Sequence, residues 1–432
     1  MATSTLKVGV VAQTIPALGG GLGFFLIRAI SELANARPGW QFEIVALSSF
    51  PELARVNPNN IRVHWCDTRR DQQVITRVIS PFFPVERRKR IPSALMIRAE
   101  KISTAWQNHI AEVCSGLQVD LIWAPNYYLN SNSLSLHQNL RGDRTPILFT
   151  IHDIHAVFYP NDWPAESLGR FWLEMVPFAQ RSQLIITHTH FQRDCIVEHM
   201  QISPEKVDVV PIAPLIEPHI LTQSFTSQQV TSTLAGFGIQ PPFVLYPGST
   251  SHAHKNHVRL LIAWAELRIR LGSACPMLVC TAKGHRWPEL KSLIEALQLQ
   301  DKVVFTDTID TARLALLIQN SALVVVPTLY EGGGSGPVTD ACLAGKPVVC
   351  SQIPPIEEHL NYLGYEQPQF FDPLSVLSIV QAVQEALHRL PQLEEKARTN
   401  QQRVLARLPS LWSEWSHQYI SCMQRVAGIA SD

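Results

Sequence analysis

The sequence predicts an α/β protein of two domains, each a mostly parallel sheet with helices on both faces. Three observations carry this. Short β-branched and apolar runs alternate with helical periodicity from Lys7 to Val210. The alternation stops where Pro211, Pro214 and Pro218 crowd together. A second alternation then runs from Phe243 to Cys350. Parallel strands need crossover connections, and those put helices over both faces of a sheet.

Lys7–Ala12 is β-branched and reads as the first strand. The glycines Gly19–Gly21 make a turn, and Phe24–Ala36 spaces Phe24, Leu26, Ile27, Ile30, Leu33 and Ala34 along one helical face. Phe42–Leu47 is the second strand, Ala94–Cys114 a long helix, and Leu121–Ala124, Pro146–Thr150, Leu184–Thr187 and Lys206–Val210 are later strands. Proline cannot continue a central strand, so the hinge falls at Pro211–Pro218. Phe225–Gly238 reads as a helical or irregular linker. Beyond it come strand Phe243–Tyr246, helix Val258–Leu271, strand Met277–Thr281, helix Leu290–Ala296, strand Val303–Phe305 and helix Ala312–Gln319. Ala322–Pro327 is apolar throughout, as the centre of a parallel sheet requires, and Pro347–Cys350 follows. Leu411–Val426 is amphipathic, with Trp412, Trp415, Tyr419 and Cys422 on one side.

Composition excludes several classes. The chain has 432 residues, 46% hydrophobic and 17% charged, enough to bury large cores and unlike a disordered segment. Lys plus Arg and Asp plus Glu number 36 each, so no basic excess marks a nucleic-acid partner. The eight cysteines contain no CxxC pair and the histidine spacings no zinc signature, so neither a metal nor a cofactor is expected. Scattered thiols in apolar runs suit a reducing compartment. The N-terminus shows no signal-peptide pattern and no apolar run spans a membrane, so the expected location is cytoplasmic. The stretch Phe82–Arg98 mixes basic and apolar residues; it is a solvated face or a peripheral membrane contact.

Three loops carry the chemistry. Tyr330–Ser351 reads YEGGGSGPVTDACLAGKPVVCS. Gly332, Gly333, Gly334, Ser335 and Gly336 stand between a buried strand and a helix whose N-terminal amides can face a phosphate. Asp340, expected in that helix's first turn, can accept from ribose hydroxyls or merely cap the helix. Tyr246–Leu261 holds Gly248, Ser249, Thr250, His254, Lys255 and Asn256 after a strand, and the lysine can neutralise a diphosphate. Thr150–Pro160 reads TIHDIHAVFYP and places His152, Asp153 and His155 at a strand end, where open α/β sheets bind ligands. The Leu18–Gly23 turn, with Gly21, can bring backbone to a phosphate or an acceptor. It does not fit GxGxxG, and no acid ends strand Phe42–Leu47, so a dinucleotide is disfavoured.

Together these segments resemble the retaining glycosyltransferases of family four, which have the GT-B fold. Glu331, Pro337, Asp340, Ala341, Gly345, Pro347, Val348 and Val349 fit the family's paired-acid motif. The two acids stand nine apart rather than the family's eight, and the second is Asp rather than Glu. Lys255–Asn256 resembles the family's phosphate loop, with Ser251, His252 and His254 where many members carry an arginine. Phe371, Asp372 and Pro373 match a later Phe-Asp-Pro.

The resemblance implies two Rossmann-like domains facing across a cleft: an acceptor-side domain 1–213, a hinge 214–240, a donor domain 241–405 and a crossing helix 406–432. It implies that His152, Asp153 and Glu331 serve catalysis, His152 facing the donor sugar. Gly21, Gly248, Ser249, Thr250, His254, Lys255, Asn256, Gly333, Gly334, Ser335, Gly336 and Asp340 would hold the donor. The donor would be a nucleotide-diphosphate sugar, GDP-mannose or a UDP-sugar, used as substrate without metal. The acceptor would be a glycan, a lipid-linked or a small-molecule hydroxyl. A sugar-nucleotide epimerase of the same fold and a weakly active binding subunit remain alternatives.

Overall fold

The structure is a computed structural model that describes residues 5–12, 21–46, 59–65, 116–125 and 145–429. The expected helix Ala94–Cys114, the basic stretch Phe82–Arg98 and the turn residues Leu18–Gly20 lie outside the described residues.

Two parallel sheets form the skeleton. The first contains β1 Lys7–Ala12, β2 Gln41–Ala46, β3 Ile61–Trp65, β4 Leu121–Ala124, β5 Ile147–Thr150, β6 Leu184–Thr187 and β7 Val207–Val209, in the order β3-β2-β1-β4-β5-β6-β7. The second contains β8 Phe243–Tyr246, β9 Met277–Cys280, β10 Val303–Phe305, β11 Leu323–Val326, β12 Val348–Ser351 and β13 Gln369–Phe371, in the order β10-β9-β8-β11-β12-β13. Every pairing is parallel. Both orders reverse direction once, between β1 and β4 and between β8 and β11. Loops diverge at such a switch point, which opens a crevice at the strands' carboxyl ends. The chain thus has the two Rossmann-like lobes of the GT-B fold.

The strands missing from the sequence expectation, β3 and β13, are both edge strands. Ile61–Trp65 interleaves Arg62 and His64 with apolar residues, and Gln369–Phe371 is only three residues long. Neither carries the continuous apolar signal of a strand buried on both faces.

Among the described residues, ten longer helices cover the sheets: α1 Gly21–Ala36, α2 His190–Met200, α3 Ser227–Phe237, α4 His257–Leu271, α5 Trp287–Ala296, α6 Thr311–Asn320, α7 Gly336–Leu343, α8 Pro354–Leu363, α9 Val376–His388 and α10 Leu390–Ala427. The expected linker 214–240 contains α3. A capping box between Thr226 and Gln229 starts this helix and left-handed Gly238 ends it. Its Leu234 packs into the large core.

The crossing helix is longer than expected. Helix α10 runs unbroken from Leu390, with Pro409 inside it. Proline removes one backbone donor and usually ends a helix, but here packing outweighs that local cost. Trp415 meets Phe25 of α1 edge to face at 5.9 Å, and Tyr419 meets Trp123 of β4 at 5.6 Å. The Tyr419 hydroxyl lies 3.2 Å from Thr150 Oγ1, which accepts from Trp123 Nε1 at 3.0 Å. The helix therefore starts on the second lobe and seals the first. No helix among the described residues is long and apolar enough to cross a membrane. Six of the cysteines lie among those residues, all buried and unpaired.

Candidate active site

The second lobe's switch point supplies one wall of a cleft of about 470 Å³. The loops after β8 and β11 leave in opposite directions there. Lys255 reaches from the first loop, Glu331 from the second, and Nζ lies 2.7 Å from Oε1. An ammonium has three donors, so Lys255 can keep Glu331 and still contact an anion.

Gly332, Gly333 and Gly334 then carry the chain to Ser335, the N-cap of α7. The Ser335 hydroxyl makes no capping bond and has no partner among the described residues, although it is buried. The Gly336 and Val338 amides at the start of α7 also lack intrahelical partners, since Pro337 has no N–H and the Thr339 amide donates to the Ser335 carbonyl at 3.0 Å, and the helix dipole favours an anion beside them. Asp340 lies in the second turn of α7, not the first, because the helix begins at Gly336. It lines the cleft, and burial pushes its carboxyl up to about 7.

The first lobe supplies the facing wall. His152 and Asp153 follow β5, and His188 follows β6, so the same strand-end rule positions all three. His152 Nε2 lies 2.8 Å from the Pro125 carbonyl, and His188 Nδ1 lies 3.0 Å from the Val210 carbonyl. Their inner nitrogens are 2.8 Å apart. Burial lowers His152 to about 4 and His188 to about 3, so both are neutral near pH 7. A neutral imidazole has one N–H. Two carbonyl bonds and one inner bond would need three, so the pair lacks one proton for its contacts. Phe25 packs edge to face against His152 at 4.7 Å.

Contacts across the lobes hold these walls together. Gly332 lies so close to the first lobe that a Cβ there would sit 1.9 Å from the His152 carbonyl oxygen and 2.7 Å from Asp153 Cβ. Gly334 has φ +89°, in the left-handed region that favours glycine, and its α-carbon faces His359. Thr189 Oγ1 donates to the Gly332 carbonyl at 2.8 Å. The Tyr330 hydroxyl bonds Gln192. Asp162 accepts from the Ala253 and His254 amides at 2.9 and 3.2 Å. Glu358 accepts from the His190 and Phe191 amides of α2 at 2.6 and 2.9 Å.

Of the residues expected from sequence, His152, Asp153, Lys255, Glu331, Gly333, Gly334, Ser335, Gly336 and Asp340 line the one cleft. Gly21 begins α1, whose Phe24 and Phe25 reach the wall. Gly248, Ser249, Thr250, His254 and Asn256 are not in the cleft wall. Gly248 passes against the Tyr246 ring, and the Thr250 hydroxyl accepts from the Gly284 amide at 2.6 Å. His254 turns to Asp162. The Asn256 amide donates to the Pro327 and Pro373 carbonyls at 2.9 and 2.8 Å. These residues shape the loop that presents Lys255. Sequence reading passed over His188, His359 and Asp162. His188 sits one residue past a strand end, the signal that singled out His152; Asp162 follows no such rule.

Two family profiles match this chain: "Glycosyltransferase Family 4" over residues 19–213 and "Glycosyl transferases group 1" over residues 235–403. The O-antigen chain mannosyltransferase RfbU of Salmonella typhimurium is 24% identical over 215 residues. That match covers 49% of this chain and spans only 54% of the relative's length. Among solved structures, HepE of Anabaena in complex with UDP-glucose superposes with a TM-score of 0.66 at 13% identity, covering 96% of this chain and all of that one. Sucrose-phosphate synthase of Thermosynechococcus elongatus gives 0.67 at 16% identity, over 97% and 100%. WaaG, a glycosyltransferase involved in lipopolysaccharide biosynthesis, gives 0.61 at 17% identity, over 95% and 98%.

Proposed function

The chain belongs to the glycosyltransferases of family four, and we propose that it moves a sugar from a nucleoside diphosphate to an acceptor hydroxyl with retention of configuration. One observation carries this reading. The Lys255–Glu331 pair and the start of α7 stand at the second lobe's switch point, directly across the cleft from His152. The departing group is a diphosphate, so the main catalytic task is to stabilise its developing charge. Lys255, the Ser335 hydroxyl and the first amides of α7 are fixed donors for that charge, and fixed donors need no reorganisation at the moment of reaction.

Gly336 leaves room for the diphosphate: a Cβ there would meet nothing within 4 Å. Glu331 orients Lys255 and meets the sugar. Asp340, whose carboxyl burial pushes up to about 7, can in its protonated form bond a ribose hydroxyl without repelling the anion. His152 faces the sugar, and Asp153 orders the turn behind it by accepting from the His155 amide at 3.2 Å. The acceptor enters on the face from which the diphosphate leaves, from the side of Phe24 and Phe25. No metal takes part in the transfer itself.

The mannosyl relative and the UDP-glucose complex support GDP-mannose or a UDP-sugar as donor. Thermal-shift screening of UDP-, GDP- and ADP-sugars, followed by transfer assays with the donor that stabilises the protein, tests this. One donor should raise the midpoint and then yield a glycosylated acceptor. A new sugar nucleotide formed without acceptor would replace transfer by epimerisation, and binding without turnover on glycan, lipid-linked and small-molecule acceptors would overturn the enzyme reading. We propose the cytoplasm as the site of the reaction, as the scattered thiols in apolar runs suggest. Liposome co-sedimentation with Arg87, Arg88 and Lys89 neutralised checks for peripheral contact.

A further inference from the structure

A cluster of histidines outside the transfer site has unmet bonding capacity. His155 comes from the first lobe, just after β5, while His252 and His254 come from the second, in the loop after β8. One ring nitrogen from each lies within 4.8 Å of the others. The rings face one another, with centroids 4.7 to 5.4 Å apart.

Two further observations point to a ligand. First, His155 Nε2 and His252 Nδ1 are shielded from solvent and have no hydrogen-bond partner among the described residues. Such orphaned buried atoms are uncommon and call for a partner. Second, two of the three rings are held from behind by carboxylates. Asp153 Oδ1 lies 2.7 Å from His155 Nδ1, and Asp162 Oδ2 lies 3.3 Å from His254 Nδ1. A carboxylate on one ring nitrogen fixes the tautomer and turns the other nitrogen outward as a metal ligand.

We propose that His155, His252 and His254 form a divalent-metal site that ties the two lobes together beside the active site. The ligands are His155 Nε2, His252 Nδ1 and His254 Nε2, and a water fills the fourth position. Three imidazoles select a borderline ion such as Zn²⁺ over a hard one such as Mg²⁺. Zinc takes imidazole nitrogens at about 2.0–2.1 Å in a tetrahedral array, so a modest inward rotation of the rings completes the site. The sequence hid it because the ligands span 100 positions and only the closed lobes bring them together. The ion has no part in the transfer chemistry. It favours the closed arrangement, since Asp162 of the same shell also holds the Ala253 and His254 amides next to Lys255.

The test uses the tag-free full chain stripped of metal, titrated with ZnCl₂ alone and, separately, with Co²⁺ as a spectroscopic probe. The expected result is one Zn²⁺ per chain, a tetrahedral Co²⁺ spectrum, a higher thermal midpoint with Zn²⁺ and no effect of Mg²⁺. His252→Ala and His155→Gln should each weaken Zn²⁺ at least about tenfold, the lower end for perturbed metal sites. His285→Ala, altering a ring 6.1 Å from His252, should bind as the parent does. Wild-type affinity no tighter than that of His252→Ala would overturn the site, and so would Co²⁺ bands of octahedral type. His252 has no hydrogen bond to lose through its unpartnered nitrogen, and circular dichroism in chelator checks that the variant folds. If it does not, the wild-type Co²⁺ spectrum decides alone.

Discussion

Lys255 and Glu331 hold each other at 2.7 Å, half-shielded from water, so removing one leaves the other charge uncompensated. Lys255→Ala should cost about 2–4 kcal/mol of transition-state stabilisation, as for other single electrostatic donors, which is roughly 30- to 900-fold in kcat/KM. Donor affinity should also fall, because a bare Glu331 carboxylate then faces the diphosphate. Lys255→Ala/Glu331→Gln should recover part of that affinity; titration calorimetry of both variants measures it, and no recovery would refute the coupling.

Asp340 gives a pH signature. Its carboxyl is protonated below about 7 and ionised above, so donor Kd should rise as pH passes 7, as a second anion appears beside the diphosphate. Asp340→Asn should flatten that rise while keeping affinity at pH 6. At Gly332 the limit is steric: an alanine side chain would meet backbone, not a flexible side chain. Gly332→Ala should therefore separate the walls and reduce turnover while each lobe stays folded.

At the scale of elements, α10 is held by its aromatic face rather than by its propensity. Trp415 is fully buried, yet its Nε1 has no partner among the described residues. Trp415→Ala should destabilise by about 3–5 kcal/mol, the usual cost of emptying an aromatic site. Trp415→Phe keeps most of the volume and removes the orphan donor, so its cost should be well below that. Chemical denaturation of both separates packing from hydrogen bonding. Helix α2 is capped from the opposite lobe: Glu358 accepts two of its first amides, and its charge complements the helix dipole. Asp162 bonds the loop after β8 in the same way. The lobes are joined through backbone amides, which makes closure sensitive to small shifts in either loop.

For the whole molecule, the buried imidazoles set the acid limit. Burial lowers His152 and His359 to about 4, and His188 and His257 to about 3. In the unfolded chain each titrates near 6.5. Between those values the unfolded chain binds more protons, so stability is complete above pH 6.5 and is lost as pH falls towards 4. Asp340 works the other way, since its raised pKa removes stability as pH rises towards 7, but it is one group against four. The thermal midpoint should thus fall steadily from pH 7 to pH 5, with a slope of several protons. A flat profile over that range would contradict the burial of these rings.

The sequence by itself determined the two alternations, the proline break and the strand-end loops, because periodicity and turn chemistry are local. It also marked His152, Lys255 and Glu331, since each sits at a loop boundary that local pattern identifies, and Asp340, which it put one helical turn too early. It missed the edge strands β3 and β13, whose signal is diluted by polar residues, and it started the last helix too late because Pro409 reads as a break. Only the tertiary structure decided which loop residues face the cleft and which brace the loop. His254 and Asn256 were equal candidates with Lys255 until the fold turned them towards Asp162 and towards Pro327 and Pro373. The pairing of His152 with His188 and the meeting of His155 with His252 and His254 depend on strand order and lobe closure. Contacts between distant positions are set by how sheets and lobes pack, and one-dimensional spacing holds no trace of that geometry.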